Sequence, residues 1–250
     1  LGQPWADEIR GVANATGFDL GEMVLCNLFY ELNSGCTSTV AMHDDGTILH
    51  GRNLDYSIPG LQNITIQANF TRNGALVYRT TTYAGYVGAL TGMKPGVLSV
   101  SLDQRHTNAT LWDNIREALF RHGNSVGFTL RSVLETNSSF EDAVSFLSTV
   151  DLISVEYIIV GGVSAEQGAV ITREREDAID VWRIQYPRRW FLVETNYDHW
   201  KPVPSSDDRR DPANAFLNQY SPSNVSTAAF EQMLNTYPML NGMTTYTAVM

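Results

Sequence analysis

The sequence predicts an α/β (α+β) fold of four layers, in which two stacked antiparallel sheets lie between layers of helices. Apolar residues recur at spacings of three and four in the first thirty residues, again over 111–150, and again over 212–237. Between these helical blocks the apolar period is two, and tight turns join most of the strands. So many hairpins exclude a doubly wound parallel sheet, and helices are needed to cover the outer sheet faces.

The first 56 residues contain two predicted helices followed by a hairpin. The segments PWADEIRGVANATG (4–17) and DLGEMVLCNLFYEL (19–32) have helical spacing, and Asp19 is placed to cap the second helix. The period changes to two at Gly35. Strands at 36–42 and 47–54 then flank the turn Asp44-Asp45-Gly46, which predicts an antiparallel hairpin.

The rest of the chain continues the same alternation. Strands at 62–70 and 75–83 flank Asn73-Gly74, a strong turn signal, and a strand follows at 97–103. Three amphipathic helices are predicted at 111–122, 128–136 and 139–150. Further strands are predicted at 155–162, 168–174, 178–184 and 190–195, then helices at 212–220 and 227–237, before the final segment TTYTAVM.

Charge and composition limit the class of partner and the compartment. A net charge of −10 and a pI near 4.9 argue against a nucleic-acid surface, which needs clustered positive charge. The two cysteines cannot form a disulfide framework, and no apolar run approaches the ~20 residues that span a bilayer. Six N-x-S/T sequons indicate passage through a secretory lumen; they lie at Asn14, Asn63, Asn69, Asn108, Asn137 and Asn224.

Cys36 is the strongest candidate for chemistry. A free cysteine is most often a small buried hydrophobe, which is the expectation for Cys26, but Cys36 follows a glycine and precedes two hydroxyl residues. A turn centred near Asp45 puts Cys36 opposite Leu54, between Arg52 and Asp55. Strict alternation would separate those two side chains, so a bulge or strand end must bring both to the thiol. The alternative interpretation is that Arg52 and Asp55 form an ordinary ion pair at the protein surface.

The other reactive residue types give weaker signals. A Cys/His dyad is the rival arrangement, but His50 lies some distance from Cys36 in the predicted register, and His106 and His122 are expected at the surface. His43 falls in the hairpin turn, and no motif supports His199. The histidines and cysteines lack the spacing of a metal site, so neither a metal nor a cofactor is expected.

The loop at 194–213 is unusually rich in polar and aromatic residues. It contains Asn196 at the end of a predicted strand, where its amide is placed to donate to an oxyanion. It also contains the run Asp207-Asp208-Arg209-Arg210. The alternative interpretation is a polar surface loop with a solvated set of ion pairs.

Five blocks of sequence, in order, are similar to one known family. They are GCTS (35–38), HGRNLDY (50–56), AGYVG (84–88), ETNYDHW (194–200) and DDRR (207–210). Together they resemble the acid ceramidase family of N-terminal nucleophile cysteine hydrolases, along the whole chain. The resemblance implies the αββα hydrolase fold and a lysosomal glycoprotein that is made as a proenzyme and activated by self-cleavage between Gly35 and Cys36.

The resemblance also implies roles for individual residues. Cys36 would be the nucleophile, Arg52 and Asp55 its partners in the hairpin, Asn196 an oxyanion donor and Arg209 a cation that shapes the site. Residues 1–35 would be the C-terminal helical part of the small subunit, and 36–250 the large catalytic subunit, within one αββα domain. The family usually has Glu where this chain has Gln104, so a charged role at that position is in doubt.

The substrate implied by the resemblance is a fatty-acid amide. In ceramidase-type relatives a disulfide joins the two chains, and its large-chain cysteine falls where this sequence has Phe216. The resemblance therefore favours a non-covalent heterodimer of the branch that hydrolyses N-acylethanolamines. The segment AGYVGALTGMKPG (84–96) favours the ceramidase branch instead. A non-catalytic lipid-binding glycoprotein is the third alternative. The apolar helix at 19–32 is a candidate for peripheral contact with lipid vesicles, although core packing is its more common use.

Overall fold

A computed structural model describes residues 2–28, 35–107, 111–121 and 123–250, and within these residues seven α-helices are found. Helix α2 begins as predicted: the Asp19 carboxylate accepts a hydrogen bond from the backbone N–H of Gly21, at 2.7 Å. The helices are α1 (Trp5–Thr16), α2 (Leu20–Leu28), α3 (Leu111–Arg116), α4 (Val126–Thr136), α5 (Phe140–Thr149), α6 (Arg210–Leu217) and α7 (Thr227–Leu234).

The described strands form two antiparallel sheets. One sheet has four strands in the order β10-β1-β2-β11, and the other has seven in the order β3 to β9. The strands are β1 (Gly35–Met42), β2 (Ile48–Asp55), β3 (Thr65–Arg72), β4 (Ala75–Tyr83), β5 (Thr91–Lys94), β6 (Leu98–Gln104), β7 (Glu156–Gly161), β8 (Gly168–Arg173), β9 (Ala178–Arg183), β10 (Phe191–Glu194) and β11 (Thr244–Val249).

Three apolar clusters hold the four layers together. Helices α6 and α7 cover the outer face of the four-stranded sheet through residues such as Leu217 and Phe230. Side chains such as Val40 and Ile159 fill the space between the two sheets. Helices α4 and α5 cover the seven-stranded sheet, with Leu130 and Leu147 in its largest cluster. The predicted αββα arrangement is therefore confirmed.

Helices α1 and α2 pack against α4 and the segment after β4. Asn27 is 1% exposed; its amide group donates to the carbonyl of Gly85 at 2.9 Å, and its oxygen accepts from the N–H of Val87 at 2.7 Å. The Arg131 guanidinium on α4 donates to both carboxylate oxygens of Glu8 on α1. No helix in the described part of the chain is long and apolar enough to cross a membrane.

Several sequence predictions need correction. The predicted helix at 111–122 is α3 followed by a π-helical turn at 117–121, and the helix predicted from 128 begins at Val126. The short strand β5 was not predicted, because its four residues are too few to establish a period. Cys26 is exposed rather than buried, since α2 turns Met23 and Asn27 inward and its outward face is also apolar. The last four residues predicted for α2 lie outside the described residues.

Candidate active site

The β1–β2 hairpin places the candidate nucleophile as predicted. Cys36 pairs with Leu54 and Gly35 pairs with Asp55, which confirms the register expected from the Asp45 turn. The Cys36 side chain is fully buried. Burial raises the pKa of its thiol to about 12, although the Arg52 guanidinium acts in the opposite direction. Thiolate formation therefore depends on the charges that surround the sulfur.

Within the described residues, Arg52 is a charged group in direct contact with the thiol. Its Nη2 lies 3.0 Å from Cys36 Sγ and also donates to the carbonyl of Leu102 at 3.0 Å. Its Nη1 donates to the Thr91 hydroxyl at 2.7 Å and to the Leu90 carbonyl at 3.1 Å. These bonds fix the guanidinium against the sulfur, where its charge favours thiolate.

Asp55 lies beside the peptide bond rather than against the sulfur atom. Its carboxylate accepts hydrogen bonds from the Asn241 amide at 2.9 Å and from the Thr244 hydroxyl at 2.7 Å. A side chain added at Gly35 would put its Cβ 3.3 Å from the Asp55 Cβ, so Asp55 closely borders the predicted cleavage position. The β1–β2 pairing runs without a register shift to Asp55, the last residue of β2, and the shift lies instead in the pairing of β2 with β11.

Arg209 and Asn196 close the other side of Cys36. Asn196 Oδ1 accepts from the Cys36 N–H at 2.9 Å and from Arg209 Nη2 at 2.7 Å, and two donors on one oxygen fix the orientation of this amide. Asn196 Nδ2 donates to the carbonyl of Gln104 at 2.6 Å. Arg209 Nη1 donates to the carbonyl of Cys36. With the peptide bond intact, Asn196 therefore acts on the Cys36 nitrogen, and its role as an oxyanion donor stays a prediction.

The loop at 194–213 is not a solvated surface loop where it approaches Cys36. Asn196, Asp198, Arg209 and Arg210 are all buried. Asp198 anchors the segment, because it accepts from Arg105 Nε at 2.7 Å and from the Tyr157 hydroxyl at 2.7 Å. These buried partners lie far away in the sequence, so the local sequence suggested an exposed run of charges.

Asp103 is a site residue that the sequence analysis did not single out. It is fully buried, and its Oδ1 lies 3.6 Å from Arg52 Nη2 and accepts from the Ser38 hydroxyl at 2.6 Å. The signal was present in the strand VLSVSLD, where Ser99, Ser101 and Asp103 alternate with apolar residues. That pattern is usual for a strand with one face in water, but this face meets the other sheet.

An apolar pocket lies beside the hairpin. It has a volume of about 680 Å³, within the range of about 300–1,000 Å³ that is typical of small-molecule sites. Helices α1 and α2 form one wall, and the segments after β2 and β4 form the other. Its lining residues are Val12, Thr16, Phe18, Glu22, Met23, Cys26, Tyr56, Ile58, Leu61, Ile64, Tyr83, Ala84, Gly85, Tyr86 and Leu90.

The pocket and the thiol share a border. Tyr56, Tyr83 and Leu90 line the pocket and belong to the same buried cluster as Cys36. Phe18 in the pocket lining is 61% exposed, and Leu25 on α2 is 65% exposed. Exposed apolar side chains that form a contiguous patch commonly mark a binding surface.

The predicted glycosylation sites are mostly accessible. Asn14, Asn63, Asn69 and Asn224 are exposed, Asn137 is half-buried, and Asn108 lies outside the described residues. Within the described residues no group of His, Cys, Asp and Glu is arranged to hold a metal ion.

Residues 36–239 match the profile of the linear amide C–N hydrolases, choloylglycine hydrolase family. The chain belongs to this family. The match begins at Cys36, the residue around which the buried charges converge. This hydrolase therefore acts on linear amide C–N bonds, as the sequence analysis predicted.

Individual relatives of this hydrolase are similar along nearly all of its length. The acid ceramidase of Rattus norvegicus is 40% identical over 263 residues, which cover 98% of this chain and 67% of the relative. The N-acylethanolamine-hydrolyzing acid amidase of the same species is 42% identical over 252 residues, covering 100% of this chain and 69% of the relative. A solved structure of the Caenorhabditis elegans ortholog of that amidase matches with a TM-score of 0.78 and 40% identity, covering 86% of this chain and 92% of the other.

Proposed function

We propose that this hydrolase cleaves fatty-acid amides of the N-acylethanolamine type to a free fatty acid and ethanolamine, with Cys36 as nucleophile. The observation that carries the proposal is the contact of 3.0 Å between Cys36 Sγ and Arg52 Nη2 at the border of an apolar pocket. The fixed cation favours the thiolate form of Cys36, which is the nucleophile that attacks the amide, and the pocket is a site for the acyl chain.

Self-cleavage would generate the active form. The Cys36 thiol attacks the carbonyl carbon of Gly35, and the acyl group moves from nitrogen to sulfur, giving a thioester and a free amine on Cys36. Water then hydrolyses the thioester and leaves a carboxylate on Gly35. Arg209 and Asp55 border this bond, and the absence of a side chain at Gly35 leaves room for attack.

The new amine would serve as the base in amide hydrolysis. It takes the thiol proton, the thiolate attacks the substrate carbonyl, and the ammonium returns a proton to the leaving amine. Asn196 Oδ1, already 2.9 Å from the Cys36 nitrogen, is placed to orient this amine. Water then hydrolyses the acyl thioester. In this scheme Arg52 favours the thiolate, and Asn196 Nδ2 becomes the oxyanion donor after it leaves the carbonyl of Gln104.

The substrate class follows from the pocket and from the relatives. Each buried methylene of an acyl chain contributes about 0.8 kcal/mol, so the apolar pocket favours long-chain amides. Similar relatives carry the names N-acylethanolamine-hydrolyzing acid amidase and acid ceramidase. Ceramide is the second candidate substrate, because identity to the two groups is nearly equal, at 42% and 40%.

After cleavage, residues 1–35 would stay attached without a covalent link. Asn27 and Glu8 bond to the body of the protein, and Ile9 and Met23 pack in a cluster with Phe128. Neither Cys26 nor Cys36 forms a disulfide among the residues that the structure describes. A lysosomal location fits the sequons, and the apolar residues around the pocket favour contact with lipid vesicles from which a fatty amide enters.

Self-cleavage tests the proposal most directly. The purified chain is incubated at about pH 5, where carboxylates still ionise, and the fragments are sequenced from their amino termini. A new terminus at Cys36, absent in Cys36→Ala, supports the proposal. Cys26→Ala is the matched control, because it removes the other thiol and should cleave normally. A chain that never splits before Cys36 over the acidic range would refute this mechanism.

The substrate is settled by direct competition. The cleaved protein is offered palmitoylethanolamide and a short-chain ceramide at equal concentration, and free fatty acid is measured. A preference for the ethanolamide supports the proposed substrate, and a preference for ceramide assigns the second candidate. Binding of both lipids without release of fatty acid would instead indicate a lipid-binding protein.

A further inference from the structure

A line of polar side chains runs through the space between the two sheets. The two imidazole nitrogens of His50 lie 2.9 Å and 2.8 Å from the hydroxyls of Ser99 and Ser101. Ser101 donates to Ser38 at 3.0 Å, and Ser38 donates to Asp103 at 2.6 Å. All five groups are buried. Buried polar groups are costly unless they are hydrogen-bonded, and apolar residues would fill this space more simply.

The line ends at the cation that touches the thiol. Asp103 Oδ1 lies 3.6 Å from Arg52 Nη2, the same atom that lies 3.0 Å from Cys36 Sγ. Among the described residues, the other carboxylate oxygen, Asp103 Oδ2, is buried and has no hydrogen-bond partner. The carboxylate and the sulfur therefore both lie near the same guanidinium nitrogen.

We propose that Asp103 is a positioning residue that competes with the Cys36 thiolate for the charge of Arg52, and that the line from Ser38 to His50 holds it in place. An ionised Asp103 neutralises part of the Arg52 charge and disfavours the thiolate. A protonated Asp103 leaves that charge to the sulfur. This inference rests on the proposed role of Cys36 as nucleophile.

Burial and the neighbouring charged groups determine the pH at which Asp103 ionises. Burial raises the pKa of Asp103 to about 7, while Arg52, the Ser38 hydroxyl and Arg209 oppose that rise and Asp55 adds to it. From β10, Glu194 also faces Asp103, and burial raises the pKa of Glu194 well above its usual value. Burial lowers the pKa of His50 to about 3, so His50 stays neutral. At acid pH the protonated Asp103 therefore no longer offsets the charge of Arg52 beside the sulfur.

Alkylation of the two thiols tests this without any substrate. The cleaved protein is treated with a small haloacetamide at several pH values, and mass spectrometry gives the ratio of Cys36 to Cys26 labelling. The exposed Cys26 corrects for the general rise of reactivity with pH. We expect the ratio to fall about tenfold between roughly pH 5.5 and 7.5, the effect of one pKa unit on the thiol. In Asp103→Asn the ratio should stay within about twofold, because the competing charge is absent.

A second variant keeps the test decisive if Asp103→Asn does not fold. Ser38→Ala removes a hydrogen bond that favours the ionised carboxylate, so the fall in the ratio should move to higher pH. Ser148→Ala, which removes a hydroxyl on α5 that donates to the carbonyl of Val144, is the matched control and should behave like the unaltered chain. The inference is overturned if the labelling ratio falls with pH in the same way in Asp103→Asn, in Ser38→Ala and in the unaltered chain. If Asp103→Asn does not fold, an unchanged pH dependence in Ser38→Ala alone overturns it.

The same variants are assayed for fatty-amide hydrolysis across this pH range. Loss of the neutral-pH decline in Asp103→Asn, rather than a uniform drop in rate, separates a positioning role from a purely structural one. If the protein hydrolyses no amide at all, the proposed function fails, while the alkylation ratio still reports whether Asp103 acts on the thiol.

Discussion

Replacing Asn27 with alanine should weaken the attachment of helices α1 and α2 to the rest of the protein. The change removes two hydrogen bonds across the interface, to the carbonyl of Gly85 and from the N–H of Val87. A buried group left without its partner costs about 1–3 kcal/mol, so the two bonds together give about 3 kcal/mol. At about 1.4 kcal/mol per tenfold, the dissociation constant of the two cleaved chains should rise about 100-fold.

Sedimentation of the cleaved protein over a dilution series measures this constant, and hydrolysis should fall at the same dilutions because α1 and α2 form one wall of the pocket. In the uncut Cys36→Ala background, urea denaturation should show a loss of about 3 kcal/mol in the free energy of unfolding. Arg10→Ala is the control: its partner Asp7 is exposed, so we expect a change within about 0.5 kcal/mol. If Asn27→Ala behaves like Arg10→Ala in both measurements, the assigned role of Asn27 is wrong.

Three further predictions follow from described contacts. Gly51→Ala should destabilise the protein by about 1–3 kcal/mol in thermal denaturation, because the added Cβ would lie 2.8 Å from Phe230 Cδ1; an unchanged melting temperature would contradict that packing. Burial raises the pKa of the Asp198 carboxyl, but hydrogen bonds from Arg105 and other donors lower it more strongly, so its pKa lies below the usual value. The ionised carboxylate therefore stabilises the fold fully above the unfolded pKa of about 3.9, and this stabilisation is lost as the pH falls further. The stability lost in Asp198→Asn should be constant from about pH 5 to 7 and should shrink below about pH 4. A loss of stability that does not depend on pH would refute the charge argument. Leu25→Asp should reduce flotation with lipid vesicles at least about threefold, because it places a charge in apolar surface that is 65% exposed; equal flotation would place the contact elsewhere.

The sequence predicted best where short-range rules act. The Asp45 turn determines the register of its hairpin, so the pairing of Cys36 with Leu54 was predicted correctly. The two-residue period predicted most strands, although β11 was left unassigned and β5 was missed. The short strand has too few residues for a period to show.

Long-range contacts explain what could not be predicted. The side-chain oxygen of Asn196 accepts from the N–H of Cys36, a residue 160 positions away, and no local pattern could predict that contact. The role of its Nδ2 as an oxyanion donor stays a prediction. His50 was set aside because it is distant from Cys36, yet it belongs to a hydrogen-bonded line that reaches Asp103. Arg209 lies in a run of charges that by itself suggests solvent exposure. The family resemblance implied that it shapes the site, and the folded chain shows it buried against Cys36.

Residues on both sides of the predicted cleavage point line the pocket, so a lipid tail bound there would contact both parts of the protein. One wall comes from residues before the predicted cleavage point, such as Val12 and Met23, and the other from residues after it, such as Tyr83 and Leu90. A ligand that binds only the assembled form stabilises it by about 2.7 kcal/mol at 100 times its dissociation constant. Bound substrate, or an inhibitor with a long apolar tail, should therefore reduce dissociation of the two cleaved chains on dilution.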